Sequence, residues 1–251
     1  MTGVAVCVPV LDDREGVADV LPRLHHALAG VPHTVCVVDD GSRDGTLPWL
    51  DAWRSEGEHR HVIRRQKTRP GCLRGGATRE GLRWLLEHSD RSVFVDLDAD
   101  GAQRPEEIPD ALAHLRDVPA CDVVVASKYA PGSVVVGRPA ARRIGSRVYS
   151  LALRAALSHA LRDYSNSYRF YRRDAAALVA RADTRYDTPV FLVEMLAVWI
   201  TAGLRIDERP TRYEERNAGR SKVTWRDAVT GFAGAYDVVR GARAGRYCVG
   251  A

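Results

Sequence analysis

The fold is decided by the stretch Val37-Val38-Asp39-Asp40-Gly41-Ser42-Arg43-Asp44-Gly45-Thr46. A short apolar strand ends in two acids, a glycine-containing turn follows, and a helix is predicted from Thr46. A turn built for conformational reasons explains Gly41 and Gly45, but it does not explain the doubled acid. Carboxylates at this place in dinucleotide-binding folds accept hydrogen bonds from a ribose. Asp39 and Asp40 are therefore predicted to contact a nucleoside.

Outward from this stretch, short β-branched runs alternate with helical patterns. Strands are predicted at 4–8, 34–38, 61–65, 92–95 and 122–126, and helices at about 16–28, from 46, at 77–88 and at 105–115. Repeated β-α-β order predicts an α/β, Rossmann-like fold, with a mostly parallel sheet and helices on both faces. No linker or repeat interrupts the pattern, so residues 1–251 are predicted to form a single domain.

A second group of acids follows the apolar run Val93–Val95. Asp96, Asp98 and Asp100 alternate, and alternate residues of an extended chain point to the same side, so Asp98 and Asp100 can converge on one cation. Carboxylates suit Mg²⁺ or Mn²⁺, which also take diphosphate oxygens as ligands. Such short acidic motifs are often only turn caps or solvated side chains. Their place at a strand end beside Asp39 and Asp40 favours a metal site, since open α/β sheets bind ligands there.

The net charge and the absence of certain motifs limit the classes of partner and enzyme to be considered. The net charge is +5, and the basic residues are dispersed in short clusters, which favours phosphate-bearing ligands or anionic lipid head groups as partners. No recognised nucleic-acid motif accompanies them, so nucleic acid is not predicted as a partner. The first strand lacks a following GxGxxG, and the chain has no GxxxxGK[ST], which disfavours nicotinamide enzymes and P-loop kinases.

Cysteine content and hydropathy bear on location. The five cysteines form no CxxC pair, and Cys7, Cys36 and Cys121 fall in predicted strands, which is typical of buried thiols in a reducing compartment. No leader with a cleavage site opens the chain, and no apolar run approaches the roughly 20 residues of a membrane span. The protein is predicted to be cytoplasmic, either soluble or peripheral at the inner face of the membrane.

The C-terminal region carries an amphipathic helix at about 224–243. Its apolar stripe is Trp225, Ala228, Val229, Phe232, Tyr236 and Val239. We favour a helix that packs this stripe on the core. A helix that lies on a membrane surface shows the same stripe and would suit a lipid-linked acceptor.

Taken in order, these segments resemble the family-two glycosyltransferases of the GT-A fold, and among them the dolichyl- and polyprenyl-phosphate mannosyltransferases. The resemblance runs from Val4 to about Val223. Beyond the two acidic groups it rests on Pro9–Glu15, Pro105–Pro109, Ser127–Tyr129, Arg142–Ser146, Asp163–Arg169, Glu194 and Arg216–Lys222. It implies an inverting, metal-dependent enzyme that moves a sugar from a nucleotide-sugar donor to a polyprenyl phosphate or similar acceptor, with mannose from GDP-mannose favoured.

Carried over by position, the resemblance implies the following site residues. The donor would be bound by Pro9, Asp13, Asp39, Asp40, Asp98, Arg216, Ser221 and Lys222. The metal, Mg²⁺ or Mn²⁺, would be held by Asp98, Asp100 and Gln103, the last displaced by one residue from the family's usual glutamine. The acceptor phosphate would be received by Lys128, Arg142, Ser146 and Arg169, fixed cations and a hydroxyl that suit an anion.

The acceptor remains open at this stage. A phosphate oxygen is already ionised and needs little general base, whereas a hydroxyl acceptor needs a carboxylate to take its proton. Glu194 is the candidate base, ahead of Asp187, although a structural ion pair with an arginine explains this acid in an apolar helix equally well. The alternative function is therefore a hydroxyl-directed glycosyltransferase that acts on a soluble natural product or a cell-surface glycan.

Two further classes are disfavoured. The intact acids Asp98 and Asp100, with Arg216 and Lys222, disfavour a catalytically inactive homologue that only binds a nucleotide-sugar. A nucleotide-sugar pyrophosphorylase should carry a glycine-rich, basic first loop, which the segment 10–14 is not.

Overall fold

The computed structural model describes residues 2–66, 73–157, 160–215 and 225–249, with side chains in the last range from 230 onward. The strands are β1 (Val4–Val10), β2 (His33–Asp39), β3 (Arg60–Arg64), β4 (Val93–Asp96), β5 (Val123–Ser127), β6 (Val134–Val136), β7 (Arg169–Arg172), β8 (Ile206–Pro210) and β9 (Arg212–Glu214). The helices are α1 (Arg14–Ala27), α2 (Thr46–Ser55), α3 (Arg74–His88), α4 (Ile108–Asp117), α5 (Ala140–Leu157), α6 (Arg173–Arg181), α7 (Phe191–Thr201) and α8 (Trp225–Arg243). Arg216, Ser221 and Lys222 lie outside the described residues.

Seven strands form a central sheet in the order β3-β2-β1-β4-β7-β5-β8. All neighbours are parallel except β7, which is antiparallel to β4 and β5, so the predicted mostly parallel sheet is confirmed. From β1 the chain moves outward to β3 and then returns to the other side of β1 with β4. The carboxyl ends of β1 and β4 therefore flank a switch point, where open α/β sheets bind their ligands.

Helices cover both faces of the sheet, as predicted. Val6 and Val8 of β1 pack with α1, α2 and α4, whereas Ala5 and Cys7 pack on the other face with α3, α6, α7 and α8. Gly81 allows α3 to approach β1 closely, because a Cβ there would lie 2.6 Å from the Cys7 Sγ. That residues 1–251 form a single domain stays a prediction.

Two element boundaries, and one strand that was not predicted, matter for the site. β4 ends at Asp96, so the chain leaves the sheet before Asp98. The helix predicted from Ala77 begins at Arg74, which brings an arginine to the start of α3. β8 was not predicted because this edge strand is largely polar, with the sequence Ile-Asp-Glu-Arg-Pro, as exposed edges often are.

Among the described residues, no helix has the length and apolar character to cross a membrane.

The apolar stripe of α8 can be followed from Phe232 onward, because the side chains of Trp225, Ala228 and Val229 lie outside the described residues. Val239 is buried, as expected, but Phe232 and Tyr236 are 51% and 67% exposed, so the prediction of a core-facing stripe is wrong for these two. The helix instead buries Ala235 and Val238. Both are offset from the aromatic positions, so the aromatic side of α8 faces outward.

Candidate active site

The loops that follow β1 and β2 are tied together at the carboxyl edge of the sheet. The Asp12 N–H donates to Ser42 Oγ (2.8 Å), and the Arg43 N–H donates to Asp12 Oδ1 (2.6 Å). The Asp13 N–H donates to Thr46 Oγ1 (3.1 Å). Asp12 adopts a φ of +45°, a left-handed conformation that aspartate tolerates better than most residues. The two loops predicted to contact the nucleoside therefore form one braced unit.

The doubled acid has structural partners that the sequence did not reveal. Asp39 accepts from the N–H groups of Gly41 (3.2 Å) and Ser42 (3.1 Å), so it stabilises its own turn. Asp40 is buried and pairs with Arg65, whose Nη1 lies 2.7 Å from its Oδ1. Asp39 thus has a structural role in the turn, and Asp40 has one in the ion pair with Arg65. Their contact with a nucleoside stays a prediction.

Two other predicted donor residues lie at the same edge. Asp13 caps the start of α1, where its Oδ1 accepts from the Gly16 N–H (3.0 Å). Pro9 is buried near the end of β1, opposite Val38 of β2. All the donor residues that the structure describes are therefore brought together at the switch point.

The Asp98 side chain is held on both oxygens. Oδ1 accepts from Arg74 Nε (2.7 Å), while Oδ2 accepts from Gln103 Nε2 (2.8 Å) and Ser167 Oγ (2.5 Å). The Gln103 oxygen accepts from the Asp98 N–H (2.9 Å), and Gln103 is buried. Gln103 thus clamps Asp98 through both of its amide atoms. We propose that Gln103 positions Asp98. That Gln103 also binds the metal directly stays a prediction, and it requires the amide oxygen of Gln103 to accept a second partner.

Asp98 and Asp100 come together through a turn and not through strand alternation. The chain reverses at Gly101 (φ +73°), and the Ala102 N–H donates to Asp100 Oδ1 (2.9 Å). Asp100 lies at the exposed end of this turn. Partial loss of hydration, followed by repulsion from the carboxylates of Asp98 and Asp13, raises the pKa of Asp100 to about 6. Carboxylates that repel each other in this way fit a hard divalent cation such as Mg²⁺ or Mn²⁺.

A buried polar layer supports these acids from beneath. Asp96 accepts from the Tyr171 hydroxyl (3.0 Å), and burial raises its pKa to about 6. Arg169 is completely buried and donates to the carbonyls of Asn166 (3.1 Å) and Leu192 (2.6 Å). Burial lowers the pKa of Arg169 to about 10. Its role in acceptor binding stays a prediction, and the observed position would have to change before a phosphate could reach it.

A group of cations lies beside the acids. Lys128 is buried, with its Nζ 3.2 Å from Asp163 Oδ2, and burial lowers the pKa of its ammonium. The Lys128 Nζ and the Arg138 guanidinium lie 5.4 and 5.5 Å from the centroid of the Tyr213 ring. Among the described residues, the buried Nε of Arg138 has no hydrogen-bond partner. Arg138 and Tyr213 were not predicted from the sequence, because a lone arginine before a proline and a tyrosine in a short strand carry no distinctive pattern.

The predicted acceptor residues of α5 adjoin this group. Arg142 is half exposed and pairs with Glu215, which also lies 4.0 Å from Arg138. The Ser146 hydroxyl is hydrogen-bonded to that of Tyr129, the residue after Lys128. The structure therefore brings Lys128, Arg142 and Ser146 into one region next to the acids.

Glu194 has a structural explanation. Its completely buried carboxylate accepts from the N–H groups of Arg185 (2.8 Å) and Tyr186 (2.9 Å) and from the Tyr247 hydroxyl (3.2 Å). These bonds satisfy the acid through backbone groups and not through the arginine pair considered above. The other candidate base, Asp187, is paired with Arg79 (2.9 Å). A role for either as a general base stays a prediction.

Comparison with known proteins decides the family. The model of glycosyl transferase family 2 matches residues 5–178. The chain belongs to this family. The glycosyltransferase is 35% identical over 222 residues to an undecaprenyl-phosphate mannosyltransferase of Micrococcus luteus, a match that covers 88% of this chain and 87% of that protein. It is 30% identical over 221 residues to a polyprenol monophosphomannose synthase of Mycolicibacterium smegmatis, covering 87% and 80% of the two chains.

Solved structures confirm the GT-A fold of this glycosyltransferase. One of them is the glucosyl-3-phosphoglycerate synthase of Mycobacterium tuberculosis, in complex with Mn²⁺, UDP and glucosyl-3-phosphoglycerate. The TM-score is 0.67 at 16% sequence identity, and the match covers 96% of this chain and 80% of that one. At this identity the likeness concerns the fold and not the substrate.

Proposed function

We propose that this glycosyltransferase moves mannose from GDP-mannose to a polyprenyl phosphate, with inversion at the anomeric carbon and with the help of Mg²⁺ or Mn²⁺. The observation that carries the proposal is the placement of Lys128, Arg138 and Arg142 beside the acids Asp98 and Asp100. Acids suit a metal-bound diphosphate, and adjacent cations suit a second, separate phosphate. The names of the two relatives, which join mannose to a polyprenol or undecaprenyl phosphate, support this choice of acceptor.

The donor would be held at the switch point between β1 and β4. Asp98 and Asp100 would hold the divalent ion, which when bound supplies positive charge that stabilises the departing diphosphate. Gln103 and Ser167 keep the Asp98 carboxylate in place. Pro9, Asp13, Asp39 and Asp40 would surround the nucleoside. Arg216, Ser221 and Lys222, which the structure does not describe, would close over the donor phosphates.

The acceptor phosphate would supply its own nucleophile. One of its ionised oxygens attacks the anomeric carbon from the side opposite the diphosphate, which leaves with the electrons of the broken bond, so the configuration inverts. Lys128 and Arg142 would hold the phosphate, with the Ser146 hydroxyl as a further donor. A reaction that needs no general base is consistent with the Glu194 carboxylate, which already accepts hydrogen bonds from two backbone N–H groups and the Tyr247 hydroxyl. This arrangement favours the phosphate acceptor over a hydroxyl acceptor.

A matrix of donors and acceptors tests the proposal. The purified chain would be given GDP-mannose or UDP-glucose, with undecaprenyl phosphate or undecaprenol, in EDTA and after Mn²⁺ is restored. We expect a mannosylated phospholipid only from GDP-mannose, undecaprenyl phosphate and metal together, with inverted configuration by NMR. Product from UDP-glucose would refute the donor assignment. Transfer to hydroxyl acceptors but not to the lipid phosphate would establish the alternative, a hydroxyl-directed glycosyltransferase.

Arg142→Gln should weaken acceptor binding selectively. Loss of one charge-assisted hydrogen bond to phosphate corresponds to about a tenfold rise in the acceptor KM, with the donor KM unchanged. Steady-state kinetics with a short-chain polyprenyl phosphate in detergent measure both constants. Arg143→Gln, an exposed arginine one residue further along α5, is the matched control and should behave like the parent enzyme. Equal effects of the two substitutions would show a general charge effect and contradict the assignment.

An exposed apolar surface lies on α5 and α8, and we propose that it contacts the membrane that holds the acceptor. Ile144, Val148 and Leu151 share one face of α5, and each is more than half exposed. On the neighbouring helix α8, Phe232 is also more than half exposed, and it packs edge-on against Tyr149 of α5 with ring centroids 5.1 Å apart. Exposed arginines flank it at Arg147, Arg154, Arg240 and Arg243. An apolar face with a basic margin suits the boundary of an anionic bilayer.

Val148→Asp should reduce membrane binding. Loss of one valine that would be buried in the bilayer, together with the charge added to the apolar face, corresponds to roughly a tenfold fall in the membrane partition coefficient. Sedimentation with phosphatidylglycerol-containing vesicles measures it. Ala202→Asp, which adds the same charge at an exposed position beyond α7, is the control. If both variants bind like the parent protein, or lose binding equally, this surface is not the membrane contact.

A further inference from the structure

Three histidines meet at the edge of the sheet opposite the candidate active site. His25 lies in the last turn of α1, His33 begins β2, and His59 immediately precedes β3. One ring nitrogen of each lies within 4.8 Å of those of the other two. His33 and Asp39 mark the two ends of β2, so about 20 Å of strand separates this cluster from the acids.

The hydrogen bonds of the cluster fix its protonation. His33 Nδ1 lies 2.8 Å from the Val31 carbonyl, which can only accept, so Nδ1 carries the proton and Nε2 of a neutral His33 presents a lone pair. A histidine whose second nitrogen donates to a backbone carbonyl is the usual arrangement at metal sites. His25 Nδ1 lies 3.0 Å from this lone pair. Two imidazole nitrogens bound to one tetrahedral zinc ion are about 3.3 Å apart, which is close to the spacing of this pair, whereas the His59 nitrogen, within 4.8 Å of both, would have to move closer.

An ion would replace the hydrogen bond between His25 and His33. Without an ion, His25 Nδ1 donates to the lone pair of His33 Nε2. An ion bound at these two atoms would leave the proton of His25 on Nε2, a buried atom that has no hydrogen-bond partner among the described residues in either state. The neutral rings are the form that binds metals.

We propose that His25, His33 and His59 form a second metal site, separate from the carboxylate site, that takes Zn²⁺ or a similar imidazole-preferring divalent ion. Imidazole suits zinc, copper and nickel, whereas Mg²⁺ prefers oxygen ligands, so the two sites select different ions. Water would complete a tetrahedral shell on the side of His59, the most exposed of the three histidines. The ion would tie the end of α1 to the first residues of β2 and to the approach to β3, the edge strand of the sheet.

The charges of Arg60 and Arg91 oppose a cation at this place, and each arginine has an acidic neighbour. Arg91 lies 3.8 Å from Asp90. Arg60 follows His59 and donates to the Trp53 carbonyl (3.1 Å), which keeps its guanidinium over the Trp53 ring. Glu56 pairs with Arg60 and offsets its charge next to the cluster. The repulsion between Arg60 and a divalent ion is therefore reduced by the carboxylate of Glu56.

Zinc binding to the complete chain tests the site without reference to catalysis. The metal-free protein would be titrated with Zn²⁺ against a chromogenic chelator, in excess Mg²⁺ to occupy the carboxylates, and its melting temperature would be followed. We expect one tight ion per chain and a higher melting temperature. His59→Gln, at an exposed position that should leave packing intact, should lower the affinity by about 100-fold. His59→Cys should largely retain it, because a thiolate also binds zinc.

The control is His26→Gln, an exposed histidine in the same turn of α1, which should bind zinc like the parent chain. Equal affinity in the parent and His59→Gln, or equal loss in His26→Gln, would overturn the proposal. A second candidate cluster, His114, Cys121 and Asp207, is distinguished with Co²⁺. A thiolate charge-transfer band in the parent protein would place the ion at Cys121 and overturn the assignment, whereas the histidine site gives only weak d–d bands.

Discussion

Asp100→Asn should lower metal-dependent sugar transfer by about 10²–10³-fold, because it removes a carboxylate from the group that stabilises the leaving diphosphate. The same change should slightly raise the melting temperature of the metal-free protein. Asp100 is repelled by Asp98 and Asp13, which contributes to its pKa of about 6, and an uncharged amide relieves that repulsion. Turnover and melting temperature, each with and without Mn²⁺, measure the two effects.

The matched control is Glu15→Gln, which removes one negative charge from an exposed residue in the first turn of α1. It should keep full turnover and the same stabilisation by Mn²⁺ as the parent protein. Full activity of Asp100→Asn, or a variant that Mn²⁺ stabilises as strongly as the parent, would show that Asp100 does not hold the metal.

Asp163→Ala should lower the free energy of unfolding by about 3–5 kcal/mol, because it leaves the ammonium of Lys128 buried and unpaired. The Lys128 and Asp163 side chains are only 3% and 0% exposed, and their charged atoms lie 3.2 Å apart. Asp163 also accepts from the N–H groups of Lys128, Ser165 and Asn166, which the alanine would leave without this partner. Urea unfolding measures the change.

Two controls separate stability from function here. Asp183→Ala breaks an ion pair whose side chains are both 56% exposed, and it should change the free energy of unfolding far less than Asp163→Ala. Lys128→Met should destabilise the protein less than Asp163→Ala, since Asp163 keeps its backbone donors, but it should still weaken acceptor binding. A loss of stability from Asp163→Ala no larger than that from Asp183→Ala would mean that the buried pair contributes little.

The group of cations beside the acids could be predicted from the sequence only in part. Lys128, Arg142 and Ser146 were predicted from family resemblance, and the structure gathers them around Tyr129, Tyr213 and Glu215. Arg138 and Tyr213 were missed, because nothing in their immediate sequence distinguishes them from surface residues. Their positions follow from the pairing of β6 with β9, two short strands far apart in the chain.

By itself, the sequence determined the parallel sheet and the acids at its carboxyl edge, because these features are written in neighbouring residues: apolar runs of strand length, turns with glycine, and acids at the strand ends. Only the tertiary structure decided which groups hold those acids. Arg65 lies 25 residues from Asp40, Arg74 lies 24 residues from Asp98, and Ser167 lies 69 residues from it. Side-chain pairs between distant segments leave no local pattern, and 37 lysines and arginines offer many possible partners for any acid, so folding must select the pair.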